Sequence, residues 1–271
     1  MSFMKLISGK EIAKKIEAGT KKEIRNGARG GLAVVLVGNN VASRLYIRLK
    51  EKAAKRVGIK FEKYLYPTPH EPQAAKELEK NVINKIDELN SREDISGIII
   101  QLPLPRSLNA NKIIATIDPK KDADGFCPKN QESAISPVLQ ATIHSIRETG
   151  ASLKKKDVLM ISKSKIFPKP FKKFFENTAK SFTVCQPQDI KQRGKNADIV
   201  ITAVGNPRYL KGKMIKNGVI IIDIGIYKKG KKIFGDTDPD SVKKKAAWLT
   251  PVPGGIGPIT VACLIKNTVR Y

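Results

Sequence analysis

Apolar residues in this chain recur with two periods. Ile12, Ile16, Thr20 and Ile24 return every four positions with lysines between them, which predicts an amphipathic helix over 8–25. Leu32–Val37 is a continuous apolar run stopping at Gly38-Asn39-Asn40, the pattern of a strand covered on both faces. A helix from about Ala42 to Val57 follows, ended by Gly58. Then come a strand over Ile59–Leu65, a helix over 72–90 on Leu78, Val82, Ile86 and Leu89, and a strand over Ile98–Leu102. Strand and helix alternate, so a parallel three-layer α/β unit is expected.

A second unit opens with a helix over 137–149. Strands over Val158–Ile161, Ser181–Cys185, Ile199–Val204 and Val219–Ile224 follow, with a helix over Lys169–Glu176. A last helix runs from Gly257 to about Val269. The expected fold class is α/β: two three-layer domains, the second Rossmann-like, with a cleft between them. Residues 1–136 and 254–271 make the first domain and 137–253 the second, the last helix returning to the first.

Composition narrows the function. Hydrophobic residues form 41% of the 271 positions and aromatics 6%, so the cores are aliphatic. No apolar run is long enough for a bilayer, and residues 1–10 lack a signal-peptide apolar region, which predicts no membrane association and a cytoplasmic location. Three cysteines without CxxC spacing and two histidines, His70 and His144, argue against a disulfide framework, a metal site or a Ser-His-Asp triad. The charge is lopsided, with 51 Lys+Arg against 25 Asp+Glu, formally +26. A nucleic-acid binder often has this balance. Here the lysines are spread over nearly every predicted helix, with runs at 154–156, 228–232 and 243–245, and no RNP or zinc-finger signature accompanies them. A solvated basic surface is the favoured reading; its field also attracts anionic substrates.

Two segments stand out, Ser96–Pro105 (SGIIIQLPLP) and Pro251–Thr260 (PVPGGIGPIT). Each joins an apolar stretch to a rigid Pro/Gly turn, as open α/β sheets do where ligands sit. Tyr46 and Lys50 lie four apart, one turn on one helix face, where a lysine in a dry site can trade protons and a tyrosine can orient a flat heterocycle. The same spacing is common on solvated faces. Gln101 is polar at the end of an apolar strand and requires a partner, either a ligand or neighbouring backbone. Asp124 precedes Gly125 in a generic turn. Ser162-Lys163-Ser164 ends the second unit's first strand, where a dinucleotide phosphate is held in such folds, although G-x-G-x-x-G is absent. A plain strand-to-helix loop is the alternative.

Taken in order, Val37-Gly38-Asn39, the run from Ala42 to Lys50, Gln101–Pro105, Asp118–Phe126, Asp223–Ile226, Gly235-Asp236-Thr237 and Thr250–Pro258 resemble the bifunctional methylenetetrahydrofolate dehydrogenase/cyclohydrolase family over nearly the whole chain. The resemblance implies oxidation of 5,10-methylene-tetrahydrofolate with NADP, then hydrolysis of the methenyl cation to 10-formyl-tetrahydrofolate. This is one-carbon metabolism serving purine and amino-acid biosynthesis. It implies that Lys50 is the general acid/base, that Gln101 hydrogen-bonds it, that Tyr46 stacks on the folate and that Asp124 anchors the pterin. Leu102, Pro251, Pro253, Gly254 and Gly255 would complete the folate site, and Ser162, Lys163, Ser164 and Ile226 would face NADP. A homodimer is implied, without membrane or nucleic acid. The family's Gly-Arg-Ser and later Val-Gly are replaced here by Ser162-Lys163-Ser164 and Phe167-Pro168. A second reading is therefore a cyclohydrolase with weakened or lost dehydrogenase activity, or one that uses NAD.

Overall fold

The computed structural model describes residues 4–128, 136–230 and 232–270. In chain order the elements are β1 (Lys5–Leu6), α1 (Gly9–Arg25), β2 (Arg29–Val37), α2 (Val41–Val57), β3 (Lys60–Tyr66), α3 (Pro72–Ser91), β4 (Gly97–Ile100), α4 (Ala110–Ala115) and α5 (Pro137–Glu148). Next come β5 (Asp157–Ser162), α6 (Lys169–Thr178), β6 (Ser181–Cys185), α7 (Ile190–Arg193), β7 (Ile199–Ala203) and β8 (Val219–Asp223). The last are β9 (Tyr227–Lys229), β10 (Lys232–Phe234), α8 (Pro239–Val242), β11 (Ala246–Leu249), α9 (Ile256–Lys266) and β12 (Val269–Arg270). They form two compact units, Ala13–Pro137 with Val261–Tyr271, and Met1–Ile12 with Val138–Thr260.

In the first unit β2 pairs in parallel with both β3 and β4, and β12 pairs antiparallel with the start of β2. The side chains of β2 alternate between two cores. Ala33, Val35 and Val37 pack with Val82, Ile86 and Leu89 of α3 and Ile113 of α4. Leu32, Val34 and Leu36 pack with Ile47, Ala53 and Val57 of α2 and Leu264 and Ile265 of α9. Helices on both faces explain why β2 reads as an unbroken apolar run. Strand β4 stops at Ile100, two residues before the expected end, because the cis Leu102-Pro103 turn carries the chain away. The Gln101 N–H still makes one further ladder bond, to Val35 O at 2.8 Å.

The second unit is a six-stranded, wholly parallel sheet in the order β1-β11-β8-β7-β5-β6. From β5 the chain runs outward to β6 and then returns across β5 to β7. Loops at the carboxyl ends of β5 and β7 therefore flank the switch point where doubly wound sheets take ligands. One core joins Leu159, Ile161, Val200 and Ile221 with Ile190 and Val242. On the other face Val158, Met160, Ile201 and Ile222 are also buried. Phe171 and Phe175 seal the inner face of α6, and Phe175 stacks on Phe182 of β6 at 5.3 Å. Strands β9 and β10 form a separate exposed hairpin. Helix α9 ends at Lys266, earlier than expected, and the chain then extends into β12. Among the described residues, no helix is long and apolar enough to cross a membrane.

Candidate active site

The first unit gathers three of the singled-out side chains. Asn40 caps α2, its Oδ1 accepting the Ser43 N–H at 3.0 Å, and this sets the helix rotation. Lys50, two and a half turns on, lies on the inner side of the helix and is buried. Its Nζ donates to Gln101 Oε1 at 3.1 Å and sits 3.7 Å from Asp124 Oδ2. Gln101 is oriented from its other end, since Nε2 donates to Leu102 O at 3.0 Å, leaving only the carbonyl oxygen for the amine. Ser43 Oγ donates to the same Leu102 oxygen at 3.4 Å. Tyr46, half-buried one turn before Lys50, is exposed enough to meet a ligand, and burial raises its phenol so that it stays protonated.

Asp124 arrives on a segment that extends the β4 edge. Asp122 bridges to Ile98, and the Ala123 N–H bonds to Ile98 O at 3.4 Å. The buried Asp122 fixes the following turn by accepting the Gly125 N–H at 3.0 Å and the Cys127 N–H at 2.8 Å. Burial pushes the Asp124 carboxyl above its ordinary range, and the Lys50 charge pulls it back. The result is one cation, one amide oxygen and one carboxyl group in a semi-dry corner, a set able to carry a proton and to grip an amino-heterocycle edge. Asp122 and Ser43 were not singled out in the sequence. Their work is to hold backbone, and the only signal was a polar residue beside buried apolar ones.

In the second unit, Pro251, Pro253, Gly254 and Gly255 form the turn between β11 and α9, with a cis Val252-Pro253 bond and Gly254 at φ 105°. Thr250 Oγ1 anchors this turn to β8 by accepting the Asp223 N–H at 2.7 Å. A Cβ at Gly255 would press on Pro251 O at 2.6 Å, so no other residue fits there.

At the switch point Ser162 is fully buried, and its Oγ accepts the Ser164 N–H at 3.1 Å, while Lys163, Ser164 and Ile226 are exposed. The facing loop after β7 is shaped by buried Asp236, which accepts from Thr202 Oγ1 at 2.9 Å, Val204 N at 2.6 Å and Asn206 N at 2.8 Å. Gly205 there has φ 70° with open space on its side-chain side, and Arg208 is the described non-glycine residue with positive φ, 54°. Open backbone, cationic side chains and a free serine hydroxyl suit a dinucleotide with its phosphates. Asp236 and Arg208 escaped the sequence reading because neither sits in a periodic pattern.

Two family models cover the chain. Residues 7–124 match the tetrahydrofolate dehydrogenase/cyclohydrolase catalytic domain, and residues 137–271 match the family's NAD(P)-binding domain. The bifunctional protein FolD of Pelagibacter ubique is 39% identical over 98% of this chain and 98% of its own length. The structure of the bifunctional FolD enzyme of Campylobacter jejuni superposes with a TM-score of 0.90 at 32% identity, covering 98% of this chain and 97% of that one. That of the Trypanosoma brucei enzyme, complexed with NADP cofactor and an inhibitor, also gives 0.90, at 29% identity over 99% and 97% of the two chains. A polar corner at a β4 edge, a parallel sheet with a reversal of strand order and matched models over both units lead to one assignment: this chain belongs to the tetrahydrofolate dehydrogenase/cyclohydrolase family.

Proposed function

We propose that this chain oxidises 5,10-methylene-tetrahydrofolate to the methenyl cation with NADP and hydrolyses that cation to 10-formyl-tetrahydrofolate. The observation that carries the reading is the Lys50–Gln101–Asp124 cluster on a family-matched scaffold. Tyr46 stacks against the pterin and Asp124 binds its amino-pyrimidine edge. Lys50 takes a proton from the water that attacks the methenyl carbon and delivers one to the ring nitrogen as its bond to that carbon breaks. Cation plus water thus gives the formyl product and one proton. Gln101 keeps the amine aimed at that carbon. Leu102 and the Pro251–Gly255 turn wall the folate.

Bound NADP supplies the hydride acceptor. Lys163, the Ser164 hydroxyl and Ile226 would hold it, with Ser162 pinning their loop. Hydride transfer asks no acid or base of the protein, only alignment. The chain works in the cytoplasm as a homodimer, which sedimentation equilibrium checks. Supplying methylene-tetrahydrofolate with NADP tests the whole reading. Reduced cofactor and 10-formyl product should form together, and absence of either retires the corresponding half. The cyclohydrolase-only alternative is favoured by the altered loop residues alone.

A further inference from the structure

Resting on the dinucleotide reading of the second unit, we infer that this chain holds its cofactor's phosphates by lysine charge, on a β5–α6 turn whose backbone donors are already spent. In a doubly wound sheet the first helix after the central strand ordinarily offers its free N–H groups to an anion. Here they are consumed one after another. Ser164 N–H goes to Ser162 Oγ at 3.1 Å, Ile166 N–H and Phe167 N–H to Ser164 Oγ at 3.2 and 3.0 Å, and Lys169 N–H to Ile166 O at 3.0 Å. Pro168 at the helix cap and Pro170 in the first turn have no N–H to give. Lys172 N–H closes the first helical bond, to Pro168 O at 2.8 Å.

Charge replaces what the backbone withholds. Lys163, Lys165 and Lys169 are exposed around this turn, and among the described residues none has a carboxylate within ion-pair reach. The first acid after Ser162 is Glu176, and it lies beside Lys172 at 3.6 Å. A point charge on a flexible stem attracts phosphate without the fixed direction of an amide or a guanidinium fork. Such a hold grows with ligand charge and is screened by salt. It favours NADP over NAD through the extra 2′-phosphate, and the preference shrinks as ionic strength rises.

Calorimetric titration of NADP and of NAD into the full chain, without folate, tests this at about 50 mM and about 500 mM NaCl. NADP affinity should fall at least ~10-fold across that range and NAD affinity only ~2–3-fold. The double variant K163Q/K165Q should weaken NADP ~10-fold at low salt and lose most of the salt response. The double variant K154Q/K155Q, which removes equal charge from exposed lysines ahead of β5, should bind NADP within ~2-fold of the parent. A salt-indifferent NADP affinity in the parent chain, or equal losses in the two variants, overturns the charge-based hold alone. If neither nucleotide binds at low salt, the dinucleotide reading falls with it.

Discussion

Lys50 owes its position to its neighbours. The Asn40 cap fixes the phase of α2, Leu102 fixes the Gln101 amide, and Asp122 fixes the turn that brings Asp124 within 3.7 Å of the amine. Lys50→Gln should cut methenyl hydrolysis by about 100-fold or more while the folate still binds. The decay of methenyl absorbance and a folate titration check the two halves. Asp223 offers a second test. It is buried in the second unit, accepting N–H groups of Gly225 and Asp236 on Oδ1 and of Thr237 on Oδ2. Burial lifts its carboxyl from 3.8 to about 6, with hydrogen bonds from Thr237 and Asp236 opposing. Because the folded value is raised, its contribution is full below pH ~4 and fades as pH climbs through ~6, a loss on the order of 2–3 kcal/mol. Denaturant unfolding across that window should show the decline, and Asp223→Asn should flatten the slope even if it lowers stability throughout. The Tyr46–Lys50 pair was legible from spacing alone. Asp122, Ser43 and Asp236 were not, since bonds to backbone leave no period in the sequence.

Long elements were readable and short ones were not. The helices α1, α2 and α3 announced themselves by apolar residues three or four apart, and β2, β5, β7 and β8 by aliphatic runs. Strands β1, β9, β10, β11 and β12 hold two to four residues, too few to show alternation, and exist because a neighbouring strand offers a free edge. Strand β2 starts at Arg29, before the expected Leu32, because Gly30 and Gly31 carry no strand propensity. They are required all the same: the Asp94 carbonyl occupies the space where a Gly31 Cβ would project. Gly31→Ala should therefore cost about 1–3 kcal/mol by overpacking. At the start of α2, Asn40→Ala should cost about 1 kcal/mol by removing the cap. Both are read from shifts in denaturation midpoint at unchanged slope.

For the molecule as a whole, charge and connectivity matter most. A formal +26 is carried mainly by exposed lysines, many already paired, such as Lys60 with Asp94 at 2.6 Å and Lys216 with Asp198 at 2.7 Å. Any retention of nucleic acid in a gel shift at about 50 mM salt should vanish by about 200 mM, because contacts made through charge alone weaken steeply there. The sequence revealed two α/β units but not which strands close them, as that depends on pairings between residues hundreds of positions apart. Strand β1 completes the sheet whose other strands begin at Asp157, and β12 completes the sheet begun by β2. A ribosome making this protein therefore releases both halves unfinished. The half emerging first waits, open along the Arg29–Gly30 edge of β2, until Val269 and Arg270 clear the exit tunnel, so its final closure is post-translational and a stop codon a few residues early would harm the part synthesised first.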